Sequence, residues 1–340
     1  MNRIRFFTLI TWLAAAWAAT GAPVSESQAR IIAANFLSRQ AESPKLAFKA
    51  PMGSVTPAAG QAAYYVYNTA TANRGFVVVA GDDRVPAILG YSDSGHFDAA
   101  DVPPAMQEWL DGYTTQIEAI AAGAKPEQRT TARAAIAPLL PERWGQGTPY
   151  NIKLPHINCS ENAHAYTGCV ATAMAQIMAY WQYPPRPITT IPGYTSNSGK
   201  TTEVYMPALQ PTDFNWQNMQ DTYYTNDTTS TSVDAVSTLM LYCSTSLQSS
   251  FGTTGTGAYT RNIPGRLINY YGFKNSCHYL YRKYFSTQSW EDTIYAELAA
   301  GRPVAYAGNK QSAGHAFVCD GYDGQGMFHI NWGWAGKSNG

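Results

Sequence analysis

The sequence has no excess of charge of either sign. Its 340 residues contain 23 lysines and arginines against 23 aspartates and glutamates. No long-range field therefore draws the chain to nucleic acid or to an anionic membrane surface. The sequence also lacks repeats of fixed period and low-complexity tracts. These absences exclude nucleic acid as an expected partner.

Long apolar runs are missing beyond the N-terminus. The chain starts with the basic stretch MNRIR, and FFTLITWLAAAWAA and small residues follow it. This pattern predicts a secretory signal peptide over residues 1–22, cut between Ala18 and Ala22. A membrane anchor is the alternative, but the run is shorter than the roughly 20 apolar residues that a span needs. We expect a secreted product, extracellular or on the cell surface, without a stable membrane span.

Cysteine is scarce and its count is odd. The five cysteines are Cys159, Cys169, Cys243, Cys277 and Cys319. Export permits disulfides, yet at least one thiol must stay unpaired within the chain. A disulfide among the four cysteines other than Cys169 stays open, because sequence alone does not determine the pairing.

Composition divides the remaining chain into two regions, and its 45% hydrophobic content allows two packed cores. Residues 23–122 combine a helix that starts with a capping box at Ser25 and Gln28, three short strands, and a helix after Pro104. The polar stretch 121–138 is typical of an exposed linker that proteases cut. Helices and a C-terminal hairpin then predict a larger domain.

Cys169 lies at the start of a strongly helical pattern. In HAYTGCVATAMAQIMAYW the cysteine follows Gly168. The residues behind it that share one predicted buried face are Val170, Met174, Ile177, Met178 and Trp181. Free N–H groups and the helix dipole favour a thiolate in the first turn, so we expect a lowered pKa for this thiol. A buried core thiol is the competing interpretation, for which Cys243 and Cys319 are better candidates.

A metal site is a second competing interpretation. The spacing of His156, Cys159, His164 and Cys169 resembles a zinc knuckle. Structural zinc sites of this kind normally fold a small unit of their own, however, whereas Cys169 would open a long helix inside a large domain. We therefore expect no metal, and no organic cofactor.

A nucleophilic thiol needs a base, and His315 is the best of the six histidines. In SAGHAFVCDGY it follows a glycine at a predicted strand start, where a loop presents it to a cleft. Asn331 lies on the partner strand of the predicted hairpin, where its side chain would hold the ring orientation and tautomer of His315.

Three blocks resemble the streptopain family of secreted papain-fold cysteine peptidases. They are TGCVATAMAQIMAYWQYP, WGQGTPYN and GHAFVCDGYD followed by FHINWGWAG. The earlier stretches AAYYVYN, RGFVVVAGDDRVPAILGYSD and VPPAMQEWL look like that family's propeptide. The resemblance covers nearly the whole chain, although family members continue beyond the position of Gly340, so the second domain is expected to be truncated at its C-terminus.

The resemblance implies an α+β chain with a papain-like cysteine peptidase domain after a small α+β propeptide domain. The expected division is a signal peptide at 1–22, an inhibitory propeptide at 23–135 and the peptidase domain at 136–340. Cys169 would be the nucleophile, His315 the base, Gln146 an oxyanion-hole donor and Asn331 the orienting group.

The implied function is a secreted endopeptidase made as a zymogen, with protein or peptide substrates and its own propeptide as intramolecular inhibitor. A Cys–His acyltransferase or amidase is the alternative within enzymes, and product mass separates the two, because peptide cleavage adds water. A secreted binding protein of the same fold without activity is the alternative outside enzymes. The presence of Cys169, His315, Gln146 and Asn331, all of the expected chemical type, argues against a protein without activity.

Overall fold

The structure is a computed structural model of the chain. It describes residues 22–40, 63–69, 75–92, 95–102, 104–124, 133–158, 163–196, 203–252, 255–310, 313–337 and 339–340. Residues 1–21 of the predicted signal peptide, Cys159 and residues 125–132 of the predicted linker lie outside the described residues. Among the residues that are described, no helix is long and apolar enough to cross a membrane.

The leading region is a three-stranded antiparallel sheet between two helices. Its elements are α1 (Glu26–Gln40), β1 (Tyr64–Asn68), β2 (Phe76–Ala80), β3 (Ile88–Ser92) and α2 (Pro104–Ala121), with strand order β1-β2-β3. Alternate residues of a strand face opposite sides. Tyr64 and Val66 therefore pack with α2, while Tyr65 and Tyr67 pack with α1.

The predicted capping box is confirmed at the start of α1. The backbone N–H of Ser25 donates to Oε1 of Gln28 at 2.8 Å, and the backbone N–H of Gln28 donates to Oγ of Ser25 at 3.3 Å. These bonds satisfy donors that the first helical turn leaves unpaired.

The second region holds the remaining elements around α3. They are β4 (His156–Asn158), β5 (Ala163–His164), α3 (Cys169–Trp181), β6 (Tyr194–Ser196), β7 (Val204–Met206), α4 (Thr231–Ser246), β8 (Ser250–Phe251), β9 (Thr256–Gly257), α5 (Ile263–Tyr271), α6 (Thr287–Ala299), β10 (Val304–Lys310), β11 (Ala313–Tyr322) and β12 (Phe328–Asn331). Short 3-10 helices at 216–218, 260–262 and 282–284 connect some of them.

The helix α3 is the centre of the largest core cluster. Every residue from Val170 to Ala179 is buried, including the polar Thr172 and Gln176. The helix is thus covered on nearly all sides, more than the predicted single face requires. Trp181 is a correction, because its side chain is 46% exposed at the helix end. Its burial was expected from periodicity, but the chain ends the helix there and turns at Gln182, which has a positive φ of 44°.

Strands β10, β11 and β12 form an antiparallel sheet in that order, and β11 packs against α3. The predicted hairpin of β11 and β12 is confirmed, with Val318 opposite Asn331. Ile136 exchanges backbone hydrogen bonds of 2.7 and 2.8 Å with Tyr322, which attaches the start of the second region to this sheet.

The cysteines that the structure describes form no disulfide. Cys169, Cys243, Cys277 and Cys319 are all free thiols. Cys243 and Cys319 are buried in apolar surroundings, as the core-thiol interpretation expects for them. The disulfide left open by the sequence is therefore absent among the described cysteines.

Candidate functional site

Cys169 is the first residue of α3, directly after Gly168. Gly168 has φ 85°, and a Cβ placed on it would lie 2.7 Å from the carbonyl oxygen of Thr256 in β9. Only glycine combines this left-handed backbone with so close an approach. The strand β9 thereby holds the turn that leads into the cysteine.

Burial raises the pKa of the Cys169 thiol in this structure, and the backbone N–H groups of Ala316, Val170 and Cys169 itself oppose that rise. The expected lowering of this pKa is therefore wrong for the chain with its leading region in place. The helix-start N–H groups do favour the thiolate as predicted, but desolvation outweighs them.

His315 lies on β11, one residue before Ala316, but its side chain points to the other face of the sheet. Residues 315 and 317 share one face, where the His315 ring stacks near Phe317 with centroids 6.2 Å apart. Ala316 faces α3 and belongs to the core cluster against which Cys169 packs. The backbone of β11 thus joins the two predicted residues, while their side chains lie on opposite sides of it.

The ring of His315 has a defined tautomer. Its Nε2 lies 2.8 Å from the backbone carbonyl oxygen of Trp332. A carbonyl only accepts, so Nε2 carries the proton and Nδ1 keeps the lone pair in the neutral ring. Burial lowers the pKa of His315, and the Trp332 carbonyl partly offsets this. The ring is therefore held neutral and suited to accept a proton at Nδ1.

Three large rings surround His315, and we call Phe317, Trp332 and Trp334 the aromatic wall. The His315 ring stacks on Trp334 at 4.8 Å, and Trp332 stacks on Trp334 at 5.2 Å with planes 7° apart. Trp109 of α2 completes the cluster, at 5.4 Å from Trp332 and 6.0 Å from Phe317. The leading region therefore contacts the rings that hold the histidine.

Gln146 lies in the loop beside the helix start. Its backbone carbonyl accepts a hydrogen bond of 3.0 Å from the N–H of Thr167, two residues before Cys169. Trp144, fully buried, anchors the same loop through Nε1 to the carbonyl of Gln220 at 2.8 Å. The loop thus places the backbone of Gln146 beside the turn that leads into Cys169. The oxyanion role of the Gln146 side chain stays a prediction.

Asn331 does not make the predicted contact with His315. Its Nδ2 donates to the carbonyl of Glu142 at 2.7 Å, and its Oδ1 accepts from the N–H of Gly333 at 3.2 Å. Asn331 pairs with Val318, and paired residues point to the same face of a sheet. That face is the one of Ala316, opposite to His315, so the amide instead links the backbone of Glu142 to that of Gly333.

Two further positions complete this arrangement, of which Asn339 has no role in the sequence interpretation. Trp332 supplies the carbonyl that binds His315, and its own N–H donates to Oδ1 of Asn339 at 3.1 Å. Asn339 is 7% exposed. A main-chain acceptor leaves no signature in the residue type, but a buried asparagine shortly after NWGW is a signal that could have been used.

Of the four residues of the zinc-knuckle spacing, Cys159 lies outside the described residues, and the Cys169 sulfur faces the N–H of Ala316. Within the described parts of the chain, no group of three or more histidines, cysteines or acidic residues could hold a metal ion. The expectation that the reaction needs no metal or organic cofactor stays a prediction.

Two family models match the chain. The peptidase C10 family matches residues 144–340, and the Spi protease inhibitor model matches residues 21–117. The thiol protease/hemagglutinin PrtT of Porphyromonas gingivalis is 36% identical over the whole chain, which spans 41% of that protein. Streptopain of Streptococcus pyogenes serotype M28 is 36% identical across 81% of the chain and 72% of its own length.

Solved structures of Prevotella intermedia proteins are similar as well. Prointerpain A matches 84% of the chain and 90% of its own, with a TM-score of 0.71 and 31% identity. The active interpain A cysteine protease matches 64% of the chain with a TM-score of 0.55 and 35% identity. The α+β fold with a leading inhibitor-like domain is confirmed, and the chain belongs to the peptidase C10 family.

Proposed function

We propose that the chain is a secreted cysteine endopeptidase made as a zymogen, with Cys169 as nucleophile and His315 as base. One observation carries the proposal above the others. The free thiol opens the central helix against the N–H of Ala316, and His315 directly precedes Ala316 on β11, so that rotation of one side chain would bring the imidazole to the thiol. Membership of the C10 family and the names of its relatives support the same chemistry.

In the proposed reaction, the Cys169 thiolate attacks the carbonyl carbon of a peptide bond. The developing oxyanion accepts hydrogen bonds from the Cys169 N–H and the Gln146 side-chain amide, and one such donor contributes roughly 2.7 to 4 kcal/mol in another protease. The thiolate forms when His315 takes the thiol proton at Nδ1, and the resulting imidazolium gives that proton to the leaving amine as the C–N bond breaks and the thioester remains. The imidazole then takes a proton from water, whose oxygen attacks the thioester and releases the acid and the thiol.

The leading region is proposed to inhibit this reaction by holding His315 in the aromatic wall. Trp109 packs on Trp332 and Phe317, and Trp334 packs against the core of the leading region. In this arrangement the side chains of His315 and Cys169 lie on opposite faces of β11. Removal of Trp109 would free the rings to reposition, so that the imidazole can meet the thiol.

Polar contacts strengthen the same interface. Lys337 Nζ pairs with Asp101 at 2.6 Å, and the hydroxyl of Ser92 donates to the carbonyl of Asn339. Both contacts hold the segment that follows the aromatic wall. The leading region thus contacts the histidine's surroundings through apolar, ionic and hydrogen-bonded groups.

The maturation cut is proposed to lie between Lys125 and Arg133. The segment from Arg133 onwards is attached to the second region, because Arg133 pairs with Asp292 and Ile136 bonds to Tyr322. A cut before Arg133 would release the leading region and leave these contacts intact. The domain division at residue 135 is refined to this interval as part of the proposal.

The test is covalent labelling with an epoxide of the papain-inhibitor type, followed by peptide mapping. We expect modification at Cys169 after removal of the leading region, none in Cys169→Ala, and much slower modification in His315→Ala. Peptide products that gain the mass of water identify hydrolysis rather than transfer to an amine. Labelling at another cysteine, or equal labelling in His315→Ala, contradicts the assignment.

A further inference from the structure

Two histidines that the proposed reaction does not use lie face to face on the hairpin before Cys169. His156 of β4 is paired with His164 of β5 across the strands. Their ring centroids are 3.9 Å apart, with the planes inclined by 33°. Cross-strand pairing of short strands places both imidazoles on one face of the hairpin.

The nitrogen that His164 has available is determined by its surroundings. Its Nδ1 lies 2.6 Å from the backbone carbonyl oxygen of Leu154. The carbonyl only accepts, so Nδ1 carries the proton and Nε2 keeps a lone pair. Histidines that bind metals typically donate their other ring N–H to a carbonyl or carboxylate in this way, which fixes the tautomer and raises ligand basicity.

We propose that His156 and His164 bind one exchangeable divalent transition metal ion of the zinc and nickel class. Imidazole nitrogens bind Zn²⁺ at about 2.0–2.1 Å, so two ligands at a tetrahedral angle lie about 3.3 Å apart. An ion shared at that angle places the ring centroids about 5 Å apart, so the exposed His156 ring must rotate away from the 3.9 Å stack when it binds. His156 is exposed and His164 half-buried, so an ion can enter from solvent and water can complete its shell.

The chemistry of the pair selects the class of ion. Imidazole suits zinc, nickel and copper, whereas calcium and magnesium prefer oxygen ligands. The site differs from the zinc knuckle considered in the sequence analysis, because it does not include Cys169 and the chain does not require the metal to fold. It is expected to bind and release metal without unfolding of the chain.

The site is attached to the turn that carries the nucleophile. The N–H of Ala165 donates to the carbonyl of Pro155 at 2.9 Å, and the side chain of Asn151 donates to the carbonyl of Ala165 at 3.0 Å. These bonds connect the histidine pair to residues 165–168, directly before Cys169. A bound ion would therefore cross-link the hairpin next to the proposed active site.

The test is isothermal titration calorimetry, with Zn²⁺ added to the full chain carrying Cys169→Ala. The substitution removes the thiol as a competing ligand. We expect one bound ion per chain, and at least tenfold weaker binding in His164→Ala and in His156→Phe. The phenylalanine keeps a ring stacked on His164 but has no nitrogen, so lost binding there does not come from lost packing. Calcium at the same concentration should show no binding.

His278→Ala is the matched control. His278 is another exposed histidine whose Nδ1 bonds to a carbonyl, that of Ser276 at 2.7 Å, and it has no histidine stacked on it. Binding that survives in His156→Phe, or that weakens equally in His278→Ala, overturns the proposal. Because no step measures peptide cleavage, either outcome leaves the proposed peptidase function unaffected.

Discussion

The sheet β1–β3 of the leading region carries apolar side chains on both faces, whereas the core around α3 in the second region includes Thr172 and Gln176. Among the described residues, the buried side-chain nitrogens and oxygens without a partner all belong to the second region. They lie on Glu142, Asn151, Gln176, Thr245, Ser249, Thr256, Arg266 and Tyr271. Burial of such groups costs free energy. The described part of the second region therefore loses folding free energy to unpartnered polar groups, which the described leading region does not.

The strongest test of this division is removal of the nucleophile. Cys169→Ala should lower kcat by about 10⁴- to 10⁶-fold, by the precedent of nucleophile deletion in another protease. The chain should then keep its leading region through purification, as mass spectrometry would show. Cys277→Ser, a half-buried thiol in a loop, is the control and should process normally. Loss of the leading region in both variants at equal rates would mean that another protease makes the cut.

The next largest effect concerns the buried carboxyl of Glu142. Burial raises its pKa from 4.5 to about 7, and the negative charges of Asp221 and Asp320 add to this. Between these two pH values the unfolded chain has lost the proton that the folded chain still binds. The free energy of unfolding should therefore fall by about 3 kcal/mol as pH rises from about 4.5 to about 7, and stay level above it.

Glu142→Gln should remove this dependence. Denaturant unfolding in the Cys169→Ala background at several pH values measures it, with Glu118→Gln on exposed α2 surface as the control. A variant curve that keeps the slope of the parent between pH 4.5 and 7 would assign the slope to other groups.

Trp109 tests whether packing in the leading region maintains latency. Trp109→Ala should weaken the hold on the aromatic wall by about 2 kcal/mol, as interface anchors of this type do, which corresponds to roughly 30-fold faster self-processing. The rate of conversion on gels measures it. Ile31→Ala, on the exposed face of α1, is the control and should process at the normal rate. Equal rates for the two variants would remove Trp109 from the inhibitory contact.

Asn339 tests the arrangement behind His315. Asn339→Ala removes the acceptor for the Trp332 N–H, and loss of one buried hydrogen bond costs about 1 kcal/mol. We expect self-processing of the full chain to become about fivefold faster, because Trp332 then holds His315 less firmly. Asn339→Asp keeps an oxygen acceptor and should restore the normal rate. An unchanged rate with a merely lower Tm would indicate a structural role only.

The smallest effect is expected for the exposed ion pair between the regions. Asp101→Asn removes the partner of Lys337, and exposed pairs contribute at most about 1 kcal/mol. Self-processing should be no more than severalfold faster at low salt, and equal to that of the parent chain at 1 M salt. A larger effect than that of Trp109→Ala would reverse the order of packing and charge proposed for this interface.

Much of the fold was accessible from the sequence where local patterns decide the outcome. The capping box at Ser25, the helix behind Cys169 and the hairpin of β11 and β12 follow from residue spacing and turn chemistry. The sequence does not reveal which face of the sheet a side chain occupies or which residue it contacts. Both depend on which strand residues are opposite each other. The predicted hairpin puts Asn331 on the strand beside His315, whereas its register opposite Val318 turns its side chain to the other face.

The sequence predicts only one of the two influences on the pKa of the Cys169 thiol, for a similar reason. The helix-start N–H groups follow from the position of Cys169, but its desolvation depends on how the whole second region packs around it. Contact between Trp109 and the aromatic wall joins residues more than 200 positions apart. A local sequence pattern cannot predict a contact between residues so far apart in the chain.

The acceptor that sets the protonation of His315 belongs to the polypeptide backbone. Every amino acid at position 332 supplies the same carbonyl oxygen, so point substitution there exchanges the indole without deleting the acceptor. Substitutions that accumulate during evolution can therefore change the side chains around the imidazole, and with them the affinity of an inhibitor. They do not remove the carbonyl that keeps the proton on Nε2.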